Sequence, residues 1–345
     1  MTEPIVVWGA GAIGGTIGAY LARAGHDVLM VDVVEDHVEQ MQASGIGIEG
    51  PVNAFTVPVR ATTPDVLEGR FARILLAVKS QHTPAALAAL TPHLADNGYV
   101  VSVQNGLNEN LIADAVGAER TIGSFINFGA DFIGPGRILY GGRGAFVLGE
   151  IDGRITARIR SLQGLLSTFE PDVQVSDNVF GYLWAKLAFT AVLIAQTISN
   201  EPTEEFLDNP RWRPLIYRMV HEVAAVASAD GVSLMSFQAF DPSEFLTGDE
   251  GRMKAAIDGY AESRRGSQKL YSGIWRDIMV RKRPTEVSNH GEPVIRAARR
   301  NGVDVGTYGR SLQMIRDVEA GRKMLGEELA EELLFTARAS GKQAK

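Results

Sequence analysis

Along the first half of the chain, short runs of β-branched residues alternate with segments whose apolar positions recur every third or fourth residue. PIVVWG at 4–9 reads as a strand, residues 12–24 as a helix closing at Gly25, and HDVLMVD at 26–32 as a second strand. Past a glycine-containing stretch near 45–60, RILLAVKS at 73–80 is a third clear strand, and TPAALAALTPHL is its helix. YVVSVQNG at 99–106 is a fourth strand, and NENLIADAV a short helix. This alternation predicts βαβ crossovers and a mostly parallel, doubly wound sheet. Residues 121–150 read as three antiparallel strands, TIGSFINFGAD, GRILYGG and GAFVLGE. A helix near 154–170 and a strand DVQVSD follow.

At about residue 178 the strand pattern stops. From there to 339 the spacing is helical throughout, over 178–198, 209–230, 252–280, 286–301 and 307–339. Stretches such as EPTEE, DNPRW, ADGV and RKRPTE read as loops between them. The expected domains are 1–177, α/β, and 178–339, all-helical, with residues 340–345 a disordered tail. A cleft between two such domains is where small-molecule sites are favoured.

Composition adds exclusions. Hydrophobic content of 45% and charged content of 22% are those of a globular chain. With no cysteine, disulfides, thiolate nucleophiles and thiolate metal sites are ruled out, and a reducing cytoplasm is the expected setting. The six histidines form no HxxxH or HxH pair, so no metal site is expected. A net charge of −7 argues against a nucleic-acid partner; RKR at 281–283 and RAARR at 296–300 read as solvated faces. No apolar run looks long and clean enough to span a membrane, and the N-terminus lacks the basic region of a signal peptide.

The first candidate chemistry lies in IVVWGAGAIGGTIGAYLARAGHDVLMVD at 5–32. A strand runs into Gly9, Gly11 and Gly14, a helix follows, and a second strand ends in Asp32. That is the dinucleotide fingerprint of a Rossmann-type fold in its proper context. Gly9 permits the turn, Gly11 lets backbone approach a pyrophosphate, and Gly14 lets helix and strand pack closely. Ala10, Ala12 and Ile13 complete the loop and the helix start, whose N–H groups suit phosphate. Asp32 suits adenosine ribose hydroxyls and would repel a 2′-phosphate. The cofactor is therefore expected to be NAD or NADP, with NAD favoured. Lys79 and Asn105 stand at the ends of two further strands, on the edge where such sheets bind ligands.

The second candidate is Lys186, set into LWAKLAFT on an otherwise apolar helix. Burial disfavours a lysine's charged form, so such a residue has a partner or a proton-transfer task. At 100° per residue, Thr190 and Thr197 fall within roughly 40° of it, which makes one narrow polar stripe. Among the weaker candidates, His290 stands one turn after Glu286, and Asp277 reads as a structural partner of Arg276 or Arg281.

Together GAGAIGG at 9–15, LLAVKSQ at 75–81, VSVQNGLNE at 101–109, LWAKLAFT at 183–190 and SGIWRDIMVRKRPTEV at 272–287 resemble the ketopantoate reductase family nearly end to end. The resemblance implies a Rossmann-type domain followed by an all-α domain of the 6-phosphogluconate dehydrogenase C-terminal kind. It implies NADPH-dependent reduction of a 2-keto acid to a 2-hydroxy acid in pantothenate synthesis. Lys186 matches the family's catalytic lysine, Glu286 an acid that helps bind substrate and proton-transfer partners, Asn105 an asparagine near nicotinamide and substrate, and Lys79 a lysine of the cofactor cleft. Three departures stand out. Asp32 and Val33 replace an arginine after the second strand, and Thr190 replaces a substrate-binding asparagine. Ser272 and Gly273 stand where a substrate-binding serine is expected, and the segment from Asp277 to Glu286 is one residue longer than in many relatives.

The leading reading is a nicotinamide-dependent oxidoreductase between a 2-keto acid and a 2-hydroxy acid, ketopantoate reductase-like. Lys186 and Glu286 would be catalytic, and Asn105, Thr190 and Ser272 would bind substrate. The partner is a small acid, with a homodimer possible and no membrane involved. An NAD-dependent 2-hydroxy acid dehydrogenase of catabolism is the alternative. A nucleotide sensor without catalysis is a third, disfavoured by the presence of both Lys186 and Glu286.

Overall fold

In the computed structural model, residues 4–265 and 270–340 are described. The chain separates into two compact units, residues 1–179 and 180–345.

Among the described residues the first unit holds twelve strands. They are β1 Ile5–Trp8, β2 Val28–Val31, β3 Ile46–Glu49, β4 Phe55–Val57, β5 Arg60–Thr62, β6 Phe71–Leu76, β7 Leu94–Ser102, β8 Thr121–Ile126, β9 Gly129–Gly134, β10 Arg137–Gly142, β11 Phe146–Glu150 and β12 Val173–Val175. Its helices are α1 Ala12–Arg23, α2 Glu35–Ser44, α3 Thr83–Leu90, α4 Glu109–Val116 and α5 Ala157–Leu166. The main sheet has eight strands in the order β12-β11-β8-β7-β6-β1-β2-β5. From β8 to β5 every neighbour is parallel; β11 runs antiparallel to β8. The chain leaves β1 in one direction to β2 and returns on its other side with β6. The strand order therefore reverses at β1, the place where open α/β sheets bind ligands.

Period-two alternation explains how β1 holds both faces. Ile5 and Val7 enter one apolar cluster with Ile17, Leu21 and Met30. Val6 and Trp8 enter the other with Ile74, Leu87 and Ile112. A strand buried on both faces has to be apolar throughout, as IVVW is.

The glycine-containing stretch near 45–60, to which the sequence assigned no element, carries β3, β4 and the edge strand β5. Residues 121–150 also differ from a simple antiparallel run. β8 and β11 belong to the main sheet, whereas β9 and β10 join β3 and β4 in a second sheet ordered β4-β3-β10-β9. TIGSFINFGAD is thus two strands in two sheets. Helix α1 packs against β3, β9 and β10 as well as β1 and β2, which buries it on both sides. Its central residues Gly14 to Leu21 are accordingly all buried.

The second unit is helical: α6 Val179–Ser199, α7 Thr203–Asp208, α8 Arg213–Ala229, α9 Glu250–Arg264, α10 Gly273–Met279, α11 Val287–Asn301, α12 Gly306–Glu319 and α13 Glu327–Ser340. Three expectations are corrected. The segment 252–280 is two helices, and so is 307–339, which breaks after Glu319 and resumes at Glu327. EPTEE, expected as a loop, contains the start of α7. The tail lies, from residue 341, outside the described residues.

Helix α6 is long and apolar enough to cross a membrane by length and composition alone, contrary to the reading that its polar residues disqualify it. Yet 72% of its most apolar window is buried inside the fold, which is what a core helix requires. Helix α8 packs on α11, α12 and α13 and carries a buried glutamate, Glu222. Its carboxylate accepts hydrogen bonds from the Thr307 and Tyr308 amides (3.2 and 2.7 Å) and from Arg218 (2.6 Å). Glu222 thereby satisfies first-turn N–H groups of α12 that have no partner within their own helix.

Candidate active site

The glycine loop follows β1 directly. Gly9 has φ +95°, the left-handed region, and a Cβ there would stand 2.8 Å from the Val78 nitrogen. At Gly14 a Cβ would meet the Gly9 carbonyl oxygen at 2.1 Å, so helix and loop pack closer than any side chain allows. A Cβ at Gly11 would meet nothing within 4 Å. Two of the three glycines thus shape the loop, and the third opens it to space beside the N-terminus of α1. That cradle fits the pyrophosphate of a dinucleotide.

Asp32 lies just past β2 and is half-buried. Its Oδ2 accepts from the Ala10 amide at 2.8 Å and its Oδ1 from the Val34 amide at 3.0 Å. The acid at the end of the second strand therefore also braces the glycine loop. An ionised carboxylate has about four acceptor positions, so capacity remains for ribose hydroxyls. Val33, next in sequence, is 77% exposed and offers no cation for a phosphate.

Beyond β6 and β7, Lys79 and Asn105 each stand three residues past the strand end, both half-buried. Their loops are tied together. Gln104 donates to the Val78 carbonyl and to the Thr83 hydroxyl, both at 2.8 Å, and Asn108 donates to the Asn105 carbonyl at 2.8 Å. Next to this network Glu109 is wholly buried, and burial pushes its carboxyl up to about 7. Neither this network nor Glu109 was legible as such: VSVQNGLNE marks the segment, and nothing in it says which polar residues turn inward.

In the second unit, Lys186 lies on α6 with Tyr182, Phe189, Thr190 and Leu193 on a half-buried stripe, while Leu183, Trp184, Ala185, Leu187 and Ala188 are buried. The Thr190 hydroxyl donates to the Lys186 carbonyl at 2.8 Å. Thr197, expected on the same stripe, is fully buried and meets the Ser272 hydroxyl at 2.9 Å. Ser272 is itself buried and N-caps α10, accepting from the Trp275 amide at 3.1 Å. Each of these three hydroxyls thus has a partner within the protein.

Glu286 is the residue at the head of α11, half-buried, with His290 Nε2 4.0 Å from its Oε1. Two carboxylates fix the turn that carries it. Glu319, at the end of α12, accepts from both the amide and the hydroxyl of Thr285, each at 2.7 Å. Asp277 takes Arg281 at 2.7 Å, as the sequence suggested, and also Arg283 at 2.9 Å. Lys282, between those arginines, has φ +51°. Glu319 carries no sequence signal; it is the last residue of an ordinary amphipathic helix.

Residues 5–153 match the family model described as "Ketopantoate reductase PanE/ApbA", and residues 178–319 match "Ketopantoate reductase PanE/ApbA C terminal". The 2-dehydropantoate 2-reductase of Pyrococcus abyssi is 30% identical over 230 residues, 66% of this chain and 75% of that one. That of Archaeoglobus fulgidus is 26% identical over 323 residues, 92% of this chain and 99% of the other. Among solved structures, a PanE/ApbA family ketopantoate reductase from Ralstonia eutropha JMP134 superposes with TM-score 0.78 at 25% identity, over 93% of this chain and 100% of that one. D-mandelate dehydrogenase with NADH and anilino(oxo)acetate superposes with TM-score 0.80 at 20% identity, over 92% and 99%, a likeness of fold.

Proposed function

This chain belongs to the ketopantoate reductase family, and from that premise we propose that it reduces a 2-keto acid to the corresponding 2-hydroxy acid with a nicotinamide cofactor. The observation that supports this most is the glycine loop at the strand-order reversal, with Gly11 open to space and Ala10 held by Asp32. Gly9 to Gly14, with Ala10, Ala12 and Ile13, would hold the pyrophosphate, and Lys79 and Asn105 would line the nicotinamide side. When bound there, the nicotinamide would supply the hydride for the substrate's carbonyl carbon.

As charge grows on the carbonyl oxygen, a positioned acid lowers the barrier. In our reading Lys186 is that acid and gives its proton to the oxygen. Glu286 orients the substrate and is the ionic partner of Lys186. Asn105, Thr190 and Ser272 are assigned to the substrate side; Thr190 and Ser272 would contribute only the hydrogen-bonding capacity their internal partners leave. Asp32 favours NADH, because a 2′-phosphate beside it would face a like charge with no arginine following.

Asp32 and the internally bonded hydroxyls of Thr190 and Ser272 also fit a second reading: oxidation of a 2-hydroxy acid with NAD by the same groups, Lys186 then acting as base. Absorbance at 340 nm tests both, with NADH or NADPH and a panel of 2-keto acids including ketopantoate for reduction, and with NAD and the matching 2-hydroxy acids for oxidation. We expect turnover with at least one acid and a higher kcat/KM for NADH than for NADPH. Saturable cofactor binding with no turnover in either direction would replace the enzyme with a nucleotide sensor.

A further inference from the structure

His37 is fully buried in the first turn of α2, five residues after Asp32. Its Nε2 lies 2.9 Å from the Ala10 carbonyl oxygen, and its Nδ1 lies 2.8 Å from the Gly136 amide nitrogen. An amide can only donate, so Nδ1 accepts; the ring proton is then on Nε2 and is given to Ala10. Both ring nitrogens are committed, and the Phe132 ring stands edge-on at 5.0 Å. Gly136, in the turn between β9 and β10, is anchored in its turn by its own carbonyl, which accepts from the Gly47 amide at 2.7 Å. On the Ala10 side, Gly15 keeps the carbonyl clear, since a Cβ there would stand 2.5 Å from it.

The consequence lies in the peptide that follows Ala10. In a trans peptide the C=O and the next N–H point in opposite directions, and the described residues contain no cis bond. With the Ala10 carbonyl held by His37, the Gly11 N–H points away from α2. The preceding peptide is fixed in the same manner, its N–H given to Asp32 at 2.8 Å. Two successive peptides of the glycine loop are thus set by two side chains on one side, Asp32 and His37. We propose that His37 is a positioning residue for cofactor binding: it fixes the Ala10–Gly11 peptide so that the Gly11 amide is presented to the dinucleotide pyrophosphate, and it links that loop to the second sheet through Gly136. This rests on the reading that the loop holds a dinucleotide.

Two substitutions separate this role from mere packing. In His37→Gln the side-chain amide reaches as far as Nε2 and still donates to Ala10; in His37→Asn it reaches only as far as Nδ1 and serves Gly136 alone. Fluorescence titration with NADH should give a Kd near wild type for His37→Gln. For His37→Asn the Kd should rise roughly tenfold, about the effect of leaving one buried acceptor unpaired. The increase should appear in the cofactor KM, with kcat at saturating cofactor little changed. Equal Kd values in the two variants overturn the assignment. So does a fall in thermal stability of both with no change in Kd. The wild-type protein gives an independent check: ring 15N shifts of His37 should show the neutral Nε2–H tautomer, and an Nδ1–H or doubly protonated ring contradicts the proposal even if neither variant folds. Wild-type protein that binds neither NADH nor NADPH defeats the dinucleotide reading itself.

Discussion

In the first unit, the groups presented at the glycine loop are mainly backbone amides, and a few side chains aim them. In the second, the candidate chemistry is carried by side chains on different helices, and the turn before Glu286 is held by side chains from two of them. Ala10 shows the first arrangement, with Asp32 on its N–H and His37 on its carbonyl. Glu286 shows the second: its turn is fixed through Thr285 by Glu319 and through the neighbouring arginines by Asp277. A backbone site needs small residues at fixed spacing and so leaves a motif. A side-chain site needs only that the right residues meet, and they can come from anywhere in the chain.

Substitutions at three positions sharpen or break that contrast. The largest effect is expected for Lys186→Ala. Loss of a general acid should cut kcat by about 10²–10⁴-fold, with Kd for NADH unchanged because the glycine loop does not depend on it. Wild-type turnover in this variant would remove the second unit's chemistry from the proposal.

Next comes Glu109, the buried acid of the first unit. Its carboxyl, ordinarily near 4.5, is pushed by burial up to about 7. Between those values the folded chain holds a proton that the unfolded chain has released. Stability therefore falls as pH rises through that window, on the order of 3 kcal/mol in total, and levels off above it. Glu109→Gln should lose this share of the slope, measured as the difference in urea-unfolding free energy between pH 4.5 and pH 8. An equal loss in wild type and variant would show that the folded chain does not keep this carboxyl neutral.

The smallest effect is expected for Glu319→Ala, since the carboxylate is exposed and its two bonds to Thr285 compete with water. A fall in kcat of about fivefold corresponds to roughly 1 kcal/mol. Glu319→Gln, whose amide oxygen still accepts, should restore most of it. If both variants keep wild-type kcat, the turn before Glu286 holds its place without α12.

Much of the first unit was legible because its signals are local. IVVWG followed by the glycines, a helix and Asp32 states strand, turn, helix and strand within one βαβ unit. The short strands β3, β4 and β5 were not legible: each is three or four residues long, too short for a period to show, and β3 and β5 are placed by the distant partners β10 and β2, with β4 added on β3. In the second unit the apolar spacing ran on across two helix breaks. Long-range contacts accompany both: the Thr203 amide donates to the Leu270 carbonyl at 2.8 Å, and the Gly326 amide to Ile198 at 2.9 Å. Thr197 teaches the same point, since helix angle places it with Lys186 and only the packing of α10 shows what covers it.

The sequence by itself determined the two-part architecture and the position of the glycine loop and singled out Asp32 and Lys186 as candidates, because periodicity and motif spacing are properties of neighbouring residues; Glu286 became a candidate only through the resemblance to a family. Only the tertiary structure decided which polar side chains serve those positions: His37 and Gly136 lie 99 residues apart, and Thr285 and Glu319 lie 34 apart. Such pairs leave no mark on local spacing. A buried donor needs an acceptor within hydrogen-bond reach, and it is the packing of sheets and helices that brings one there.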